Sequence, residues 1–207
     1  CQGSPLKPEY MDKVALLAAE HGLKIHLDGA RLFNAAVALD LKVEALTRHV
    51  DSVMFCLSKG LSAPVGSLVC GSGEFIKRAR KFRKMVGGGM RQAGHLAAAG
   101  LVALESLVDR LKDDHLHAKV LADKLASTKG IELDQNGVKS NIIFFKMNHP
   151  HIDGDQFLNQ LEEKSIKILM TDPGVFRAVL HREISKDQVE TVAHAIDSIL
   201  NAEGATK

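Results

Sequence analysis

Lys24-Ile-His-Leu-Asp-Gly-Ala-Arg31 and Ser52-Val-Met-Phe-Cys-Leu-Ser-Lys-Gly-Leu-Ser-Ala-Pro-Val-Gly-Ser67 decide the fold. In each, a short apolar run is cut off by small and polar residues, the pattern of a buried strand. The expected strands are 23–27 and 52–57. Between them, residues 30–39 read as a helix and 41–49 as a shorter helical piece. Strand, helix, strand predicts a right-handed parallel crossover. Residues 67–71 read as a third strand, and the short Pro64/Gly66 loop before it predicts an antiparallel return to the second. In parallel α/β sheets, ligands sit beyond the carboxyl ends of the strands. Asp28 and Lys59 both occupy that position and are expected to face one crevice.

Working outward, Pro8 suits the first turn of a helix over 8–20, which Gly22 closes. Residues 74–86 read as a helix carrying the basic run Lys77-Arg-Ala-Arg-Lys-Phe-Arg-Lys84, with Ile76, Ala79, Phe82 and Val86 as its apolar stripe. The loop Gly87-Gly-Gly-Met-Arg-Gln92 leads to a small-residue-rich helix over 94–108, packing through Leu96, Ala99, Ala103, Leu104 and Leu107. Another helix follows to about 127. The remainder alternates differently: a strand over 141–147, a helix over 153–164, strands over 166–170 and 175–181 joined by Thr171-Asp-Pro-Gly174, and a final amphipathic helix over 185–201. That is an α+β layer. The expected domain boundary lies near residue 108, giving domains 1–108 and 109–207.

The 207 residues are ample for a core, and 45% apolar with 25% charged residues is an ordinary globular composition. A formal charge of +2 supplies no field that argues for nucleic acid, and 4% aromatic residues make base-stacking platforms a poor expectation. Three cysteines form no framework; Cys56 and Cys70, inside strand-like runs, are expected as small buried hydrophobes in a reducing compartment. The longest apolar stretch, 96–104, is too short to span a bilayer, and no signal peptide opens the chain. The chain opens on Cys1 in a loop-like stretch rather than on Met, which reads as a piece of a longer protein.

An amine and a carboxylate at one strand end are what pyridoxal phosphate (PLP) requires: a lysine for the covalent anchor and an acid to hold the ring nitrogen protonated. Each residue also has a plainer reading. Asp28 is a favoured helix N-cap type, and most lysines are solvated. What raises Lys59 is its position after an apolar run and before Gly60, in a small-residue loop that admits a bulky group. A lysine partly withdrawn from water is also a better nucleophile. The glycine loop is no nucleotide loop, because no Gly-Lys-Ser/Thr closes it; it either links two helices or carries Arg91 to an anion. Arg177 is either on the wet face of its strand or a planar fork for a carboxylate. His115-Leu-His117 and His149-Pro-His151 lack a third zinc ligand and read as surface residues, so no metal is expected.

Taken together, 26–31, 56–67 and Lys84-Met-Val-Gly-Gly-Gly-Met-Arg-Gln-Ala-Gly94, in this order, closely resemble the low-specificity L-threonine aldolases, and the likeness runs on through Arg177 to the final helix. The resemblance implies a partial PLP-transferase large domain (fold type I, the aspartate-aminotransferase type) followed by a smaller α+β C-terminal domain. It implies cleavage of L-threonine or L-allo-threonine to glycine and acetaldehyde, hence threonine catabolism and glycine supply, in a cytoplasmic homodimer or homotetramer. Lys59 would be the catalytic residue and carry the cofactor. Asp28 would pair with the pyridine nitrogen, Arg31 would lie by the ring hydroxyl or the substrate carboxylate, and Ser58 would touch the cofactor. Arg91 would help bind phosphate, and Arg177 would grip the carboxylate. Small-molecule amino acids are the expected partners, with neither nucleic acid nor membrane.

Two departures accompany the likeness. Where relatives read Arg-x-Val-Thr-His-x-Asp, this chain has Arg177-Ala-Val-Leu-His-Arg-Glu183. The upstream segment that in the family holds the phosphate cup and the ring-stacking histidine is not in these residues. A catalytically dead remnant or interaction fragment, and a PLP β-eliminating lyase, are therefore the alternatives to an active aldolase.

Overall fold

The computed structural model describes residues 3–201 of the chain. They divide into two compact units, one of residues 5–111 and one of residues 112 onward joined by the segment before Pro5.

In the first unit, helix α1 (Pro8–Glu20) starts on its proline and buries Met11 and Ala18. Strand β1 (His26–Asp28) pairs in parallel with β2 (Ser52–Cys56), so that Asp28 stands opposite Met54. The crossover runs through α2 (Leu32–Leu39) and α3 (Val43–Thr47). Strand β3 (Ser67–Gly71) returns antiparallel to β2, as expected, and the sheet order is β1-β2-β3. Strand β1 is shorter than the expected 23–27 because a side chain replaces the ladder. The Ile25 N–H donates to Asp51 Oδ2 at 2.8 Å, and Lys24 Nζ donates to Asp51 Oδ1 at 2.8 Å. That pair holds the Asp51 carboxyl below its usual range and the Lys24 ammonium above its own.

One face of this sheet is covered. Phe55, Leu57, Leu61 and Ala63 pack with Leu32, Ala36 and Leu46 from the crossover, and Phe33 meets Phe55 edge-on at 5.3 Å. The unit's other surfaces are not covered. Every residue of β3 is exposed, Cys70 included, so the expectation of a buried Cys70 fails; Cys56 is half-buried. Helix α4 (Gly73–Met85) buries no residue, and its apolar stripe ends in Phe82 and Val86, both in solvent. Helix α5 (Gly94–Ser106) buries Gly100 and Ala103 on the expected packing side, while Leu101 and Val102 face out.

In the second unit, α6 (Leu111–Leu125), α7 (Gly154–Glu163) and α8 (Lys186–Asn201) accompany an antiparallel sheet of order β4-β5-β7-β6. Its strands are β4 (Ile131–Glu132), β5 (Ile142–Met147), β6 (Leu169–Asp172) and β7 (Val175–Val179). Helix α7 opens on a capping box, with Asp153 Oδ1 accepting from the Gln156 N–H and Gln156 Oε1 accepting from the Asp153 N–H. The core is continuous: Phe145 stacks on Phe176 at 5.4 Å, and Phe157 meets Phe176 edge-on at 5.0 Å, all three fully buried. His115 is not the surface residue expected. It is half-buried, and burial pushes its pKa down. No helix of the described residues is long and apolar enough to cross a membrane.

Candidate active site

The site begins where the parallel pair ends. The ladder of β1 and β2 is extended by two further bonds: the Gly29 N–H donates to the Met54 carbonyl at 2.9 Å, and the Cys56 N–H to the Ala30 carbonyl at 3.3 Å. The elbow 28–30 and the segment 54–56 are thus kept in register past the last residue of β1. A side chain on Gly29 would put its Cβ 2.9 Å from the Met54 carbonyl oxygen, so the elbow requires glycine.

Asp28 is exposed at the tip of β1. Its Oδ1 accepts from the Ala30 N–H at 3.1 Å, a turn contact, while α2 starts three residues later on Arg31 as its cap residue. The plain reading of Asp28 as the helix N-cap is therefore wrong. Among the described residues, Asp28 makes no ion pair, and its second carboxylate oxygen has no hydrogen-bond partner. His26 lies two residues back on the same face of the strand, and its Nδ1 shares a 2.8 Å hydrogen bond with Ser52 Oγ on β2.

Lys59 lies three residues past the end of β2, in a turn pinned on both sides. Leu57, Gly60, Leu61 and Ala63 are buried, while Ser58 and Lys59 are exposed. The Ser62 N–H donates to the Lys59 carbonyl at 2.9 Å, the Ala63 N–H to the Leu57 carbonyl at 3.0 Å, and the Leu57 N–H to the Gly66 carbonyl at 2.9 Å. Ser62 takes a left-handed conformation, φ 58°, to close the turn. The expectation of a lysine partly withdrawn from water is not met, since the side chain of Lys59 stands in solvent. The backbone beneath it is what is buried.

Arg31, half-buried, heads α2 directly after the elbow, in the same unit as Asp28 and Lys59. Arg91 is exposed on the loop joining α4 and α5 and has no ion-pair partner among the described residues. Arg177 belongs to the other unit: on β7 it stands between Phe144 of β5 and Leu169 of β6, half-exposed, and alternates with buried Phe176 and Ala178. It occupies the face of its strand that the alternation predicts for arginine.

The donor set fits PLP at this end of the sheet. An exposed primary amine is available for the cofactor aldehyde, and a carboxylate oxygen without a competing cation is available for the ring nitrogen. Two glycine positions next to them would not tolerate a Cβ. Among the described residues no three His, Cys, Asp or Glu side chains come together as a metal site.

Comparison with known proteins gives the class. The sequence profile of the family described as "Beta-eliminating lyase" matches residues 1–148, and the chain belongs to this family. It is 44% identical over 188 residues to the low-specificity L-threonine aldolase 1 of Arabidopsis thaliana, a match covering 90% of this chain and 52% of that protein. It is 39% identical over 193 residues to the low specificity L-threonine aldolase of Escherichia coli, covering 92% and 55%. The chain thus spans about half the length of the curated relatives it matches. Among solved structures, the threonine aldolase of Leishmania major superposes with a TM-score of 0.72 at 18% identity, over 93% of this chain and 56% of that one. A PLP-dependent aminotransferase of Streptococcus suis superposes with a TM-score of 0.75 at 15% identity, over the whole of this chain and 56% of the other. The fold is the α/β fold of PLP-dependent aldolases and aminotransferases. The likeness to both kinds of enzyme also shows why fold alone does not choose the reaction.

Proposed function

We propose that the chain is the lysine-bearing portion of a PLP-dependent aldehyde-lyase that cleaves L-threonine and L-allo-threonine to glycine and acetaldehyde. The observation that carries this reading is the parallel register of β1 and β2, which sets the Asp28 carboxylate and the Lys59 turn at the same end of adjacent strands. Residues 1–108 are then part of the cofactor-binding large domain and 109–207 the small domain. The enzyme is proposed to work as a homodimer or homotetramer in the cytoplasm.

Each residue has a task under this reading. Lys59 Nζ would hold the cofactor through its aldehyde, and as a free amine it would carry a proton at the reacting carbon. Asp28, whose Oδ1 accepts from the Ala30 N–H, would hold the ring nitrogen and keep it protonated. When bound, the cofactor supplies a conjugated cationic ring that accepts the electrons of the broken Cα–Cβ bond. Ser58 would flank the anchor, Arg91 would help bind phosphate, Arg31 would lie by the ring hydroxyl or the substrate carboxylate, and Arg177 would grip a carboxylate through its planar fork.

The test is direct. PLP is added to the 207-residue chain, the mixture is reduced with borohydride, and peptides are mapped by mass. The expected result is a stable adduct on Lys59 and none in Lys59→Ala; an adduct that persists after that substitution removes Lys59 as the anchor. No adduct in the unsubstituted chain supports the remnant reading for these residues alone. In the full-length protein, glycine and acetaldehyde from L-threonine are expected. Pyruvate from tryptophan, tyrosine or cysteine favours β-elimination instead, which the family description keeps as the second reading.

A further inference from the structure

Asn34 is a buried polar side chain in the wrong place for a core residue, and the function above does not use it. It is the third residue of α2 and 4% exposed. Its neighbour across the fold is Gly60, the residue after Lys59. A Cβ built on Gly60 would come 2.7 Å from Asn34 Oδ1, 3.4 Å from Asn34 Nδ2 and 2.9 Å from Leu111 Cδ2. The carboxamide therefore fills the space that any other residue at 60 would claim.

Helix α2 begins directly after the 28–30 elbow, and its body is packed by Phe33 on Phe55. The elbow end of α2 is thus tied to the end of β1, while its third residue presses on the turn after β2. We propose that Asn34 is the positioning residue that sets the Lys59 turn relative to the Asp28 elbow, through the close fit of its carboxamide against Gly60. A buried amide suits this task better than an aliphatic group of the same volume. Its hydrogen-bonding groups must be satisfied in one orientation, so it locks a single arrangement where a leucine could slide. Asn34 touches neither cofactor nor substrate in this scheme. The proposal rests on the PLP reading only for its consequence; the contact itself is a property of the chain.

The experiment follows backbone amide exchange in the full 207-residue chain, wild type against Asn34→Ala, without cofactor. The Ser62 and Ala63 amides, which donate to the Lys59 and Leu57 carbonyls, report the turn. The Val53 and Phe55 amides of β2 report the stability of the unit. Loss of the carboxamide is expected to speed exchange at Ser62 and Ala63 by about ten-fold or more with β2 little changed. Unchanged exchange in the turn, or the same acceleration in turn and strand, overturns the proposal. If Asn34→Ala does not fold, Gly60→Ala probes the contact from its other side, with the same amides expected to respond. The second readout is the yield and absorbance of the borohydride-trapped adduct on Lys59, expected to fall in the variant. A wild-type chain that forms no adduct supports the remnant reading for these residues alone, and the exchange result then decides the role of Asn34 by itself.

Discussion

The unit from Lys112 onward exposes few large apolar side chains, Leu116 and Leu169 among them, whereas the unit that carries Lys59 exposes many. In the former, three fully buried phenylalanines join β5 and β7 to α7, and α8 adds Val189, Ala193, Ile196, Ile199 and Leu200. In the latter, a three-stranded sheet has one face packed on its crossover, while β3, α4 and half of α5 leave Val69, Phe82, Met85, Val86, Leu101 and Val102 in water. A strand exposed along its whole length is an edge that natural sheets cover or blunt. The difference teaches that the second unit closes a core of its own, whereas among the described residues the first leaves an edge strand and two helix faces uncovered.

The largest effect that tests the comparison is in the second unit. Phe176→Ala removes the ring that both Phe145 and Phe157 touch, and is expected to cost about 3–5 kcal/mol, read as a lowered urea midpoint. A loss below about 1 kcal/mol means that this core is no better packed than the open unit, and the contrast collapses.

The contrast also shows what the sequence reveals and what it withholds. Short-range signals placed several elements: Pro8 opens α1, the helix expected over 153–164 is α7, and Pro173-Gly174 turns β6 into β7. The parallel pairing of β1 with β2 followed from the helix between them, and that put Asp28 and Lys59 at one end. Burial was harder to read. Cys70 stands in an apolar run, yet periodicity cannot say whether anything lies against that face, and nothing among the described residues buries it. The start of β1 was misjudged because a distant carboxylate, Asp51, takes the Ile25 N–H. Strand β4, two residues long, has no period to detect. Asn34 escaped notice because an isolated asparagine in a helical stretch carries no signal until Gly60 is seen against it.

A smaller effect belongs to the cap of α7. Asp153→Ala removes the acceptor for the Gln156 N–H and one arm of the capping box, and should cost about 1 kcal/mol of the second unit's stability. Replacing Ser72, which accepts from the Phe75 N–H at 3.3 Å at the start of α4, should cost less, because α4 packs so little of its surface. Equal losses at the two caps would argue that α4 is held by contacts other than its own side chains.

Acid probes the second unit through His115. Its folded pKa lies below the reference 6.5 because burial disfavours the imidazolium. Above pH 6.5 both folded and unfolded chains hold it neutral, and its contribution is fully present. As pH falls below 6.5 the unfolded chain binds a proton that the folded chain resists, so stability declines until the folded pKa is passed. His115→Gln should therefore narrow the gap between urea midpoints measured at pH 7.5 and pH 5. An unaltered gap would assign the acid sensitivity to other groups.

The smallest expected change is the sharpest for the open unit. Val69 is 46% exposed at the middle of β3, and Leu101 is 58% exposed on α5. If these faces await covering, Val69→Thr and Leu101→Ser remove no packing in the isolated chain, and each should alter the unfolding free energy in urea by less than about 0.5 kcal/mol. The same substitutions should raise the concentration at which the chain stays monodisperse, since they remove exposed apolar surface from β3 and α5. Losses near those of Phe176→Ala would mean that the two residues already pack in the 207-residue protein in solution. Its unit would then be closed by self-association, and sedimentation across a concentration series would show the dimer that closes it.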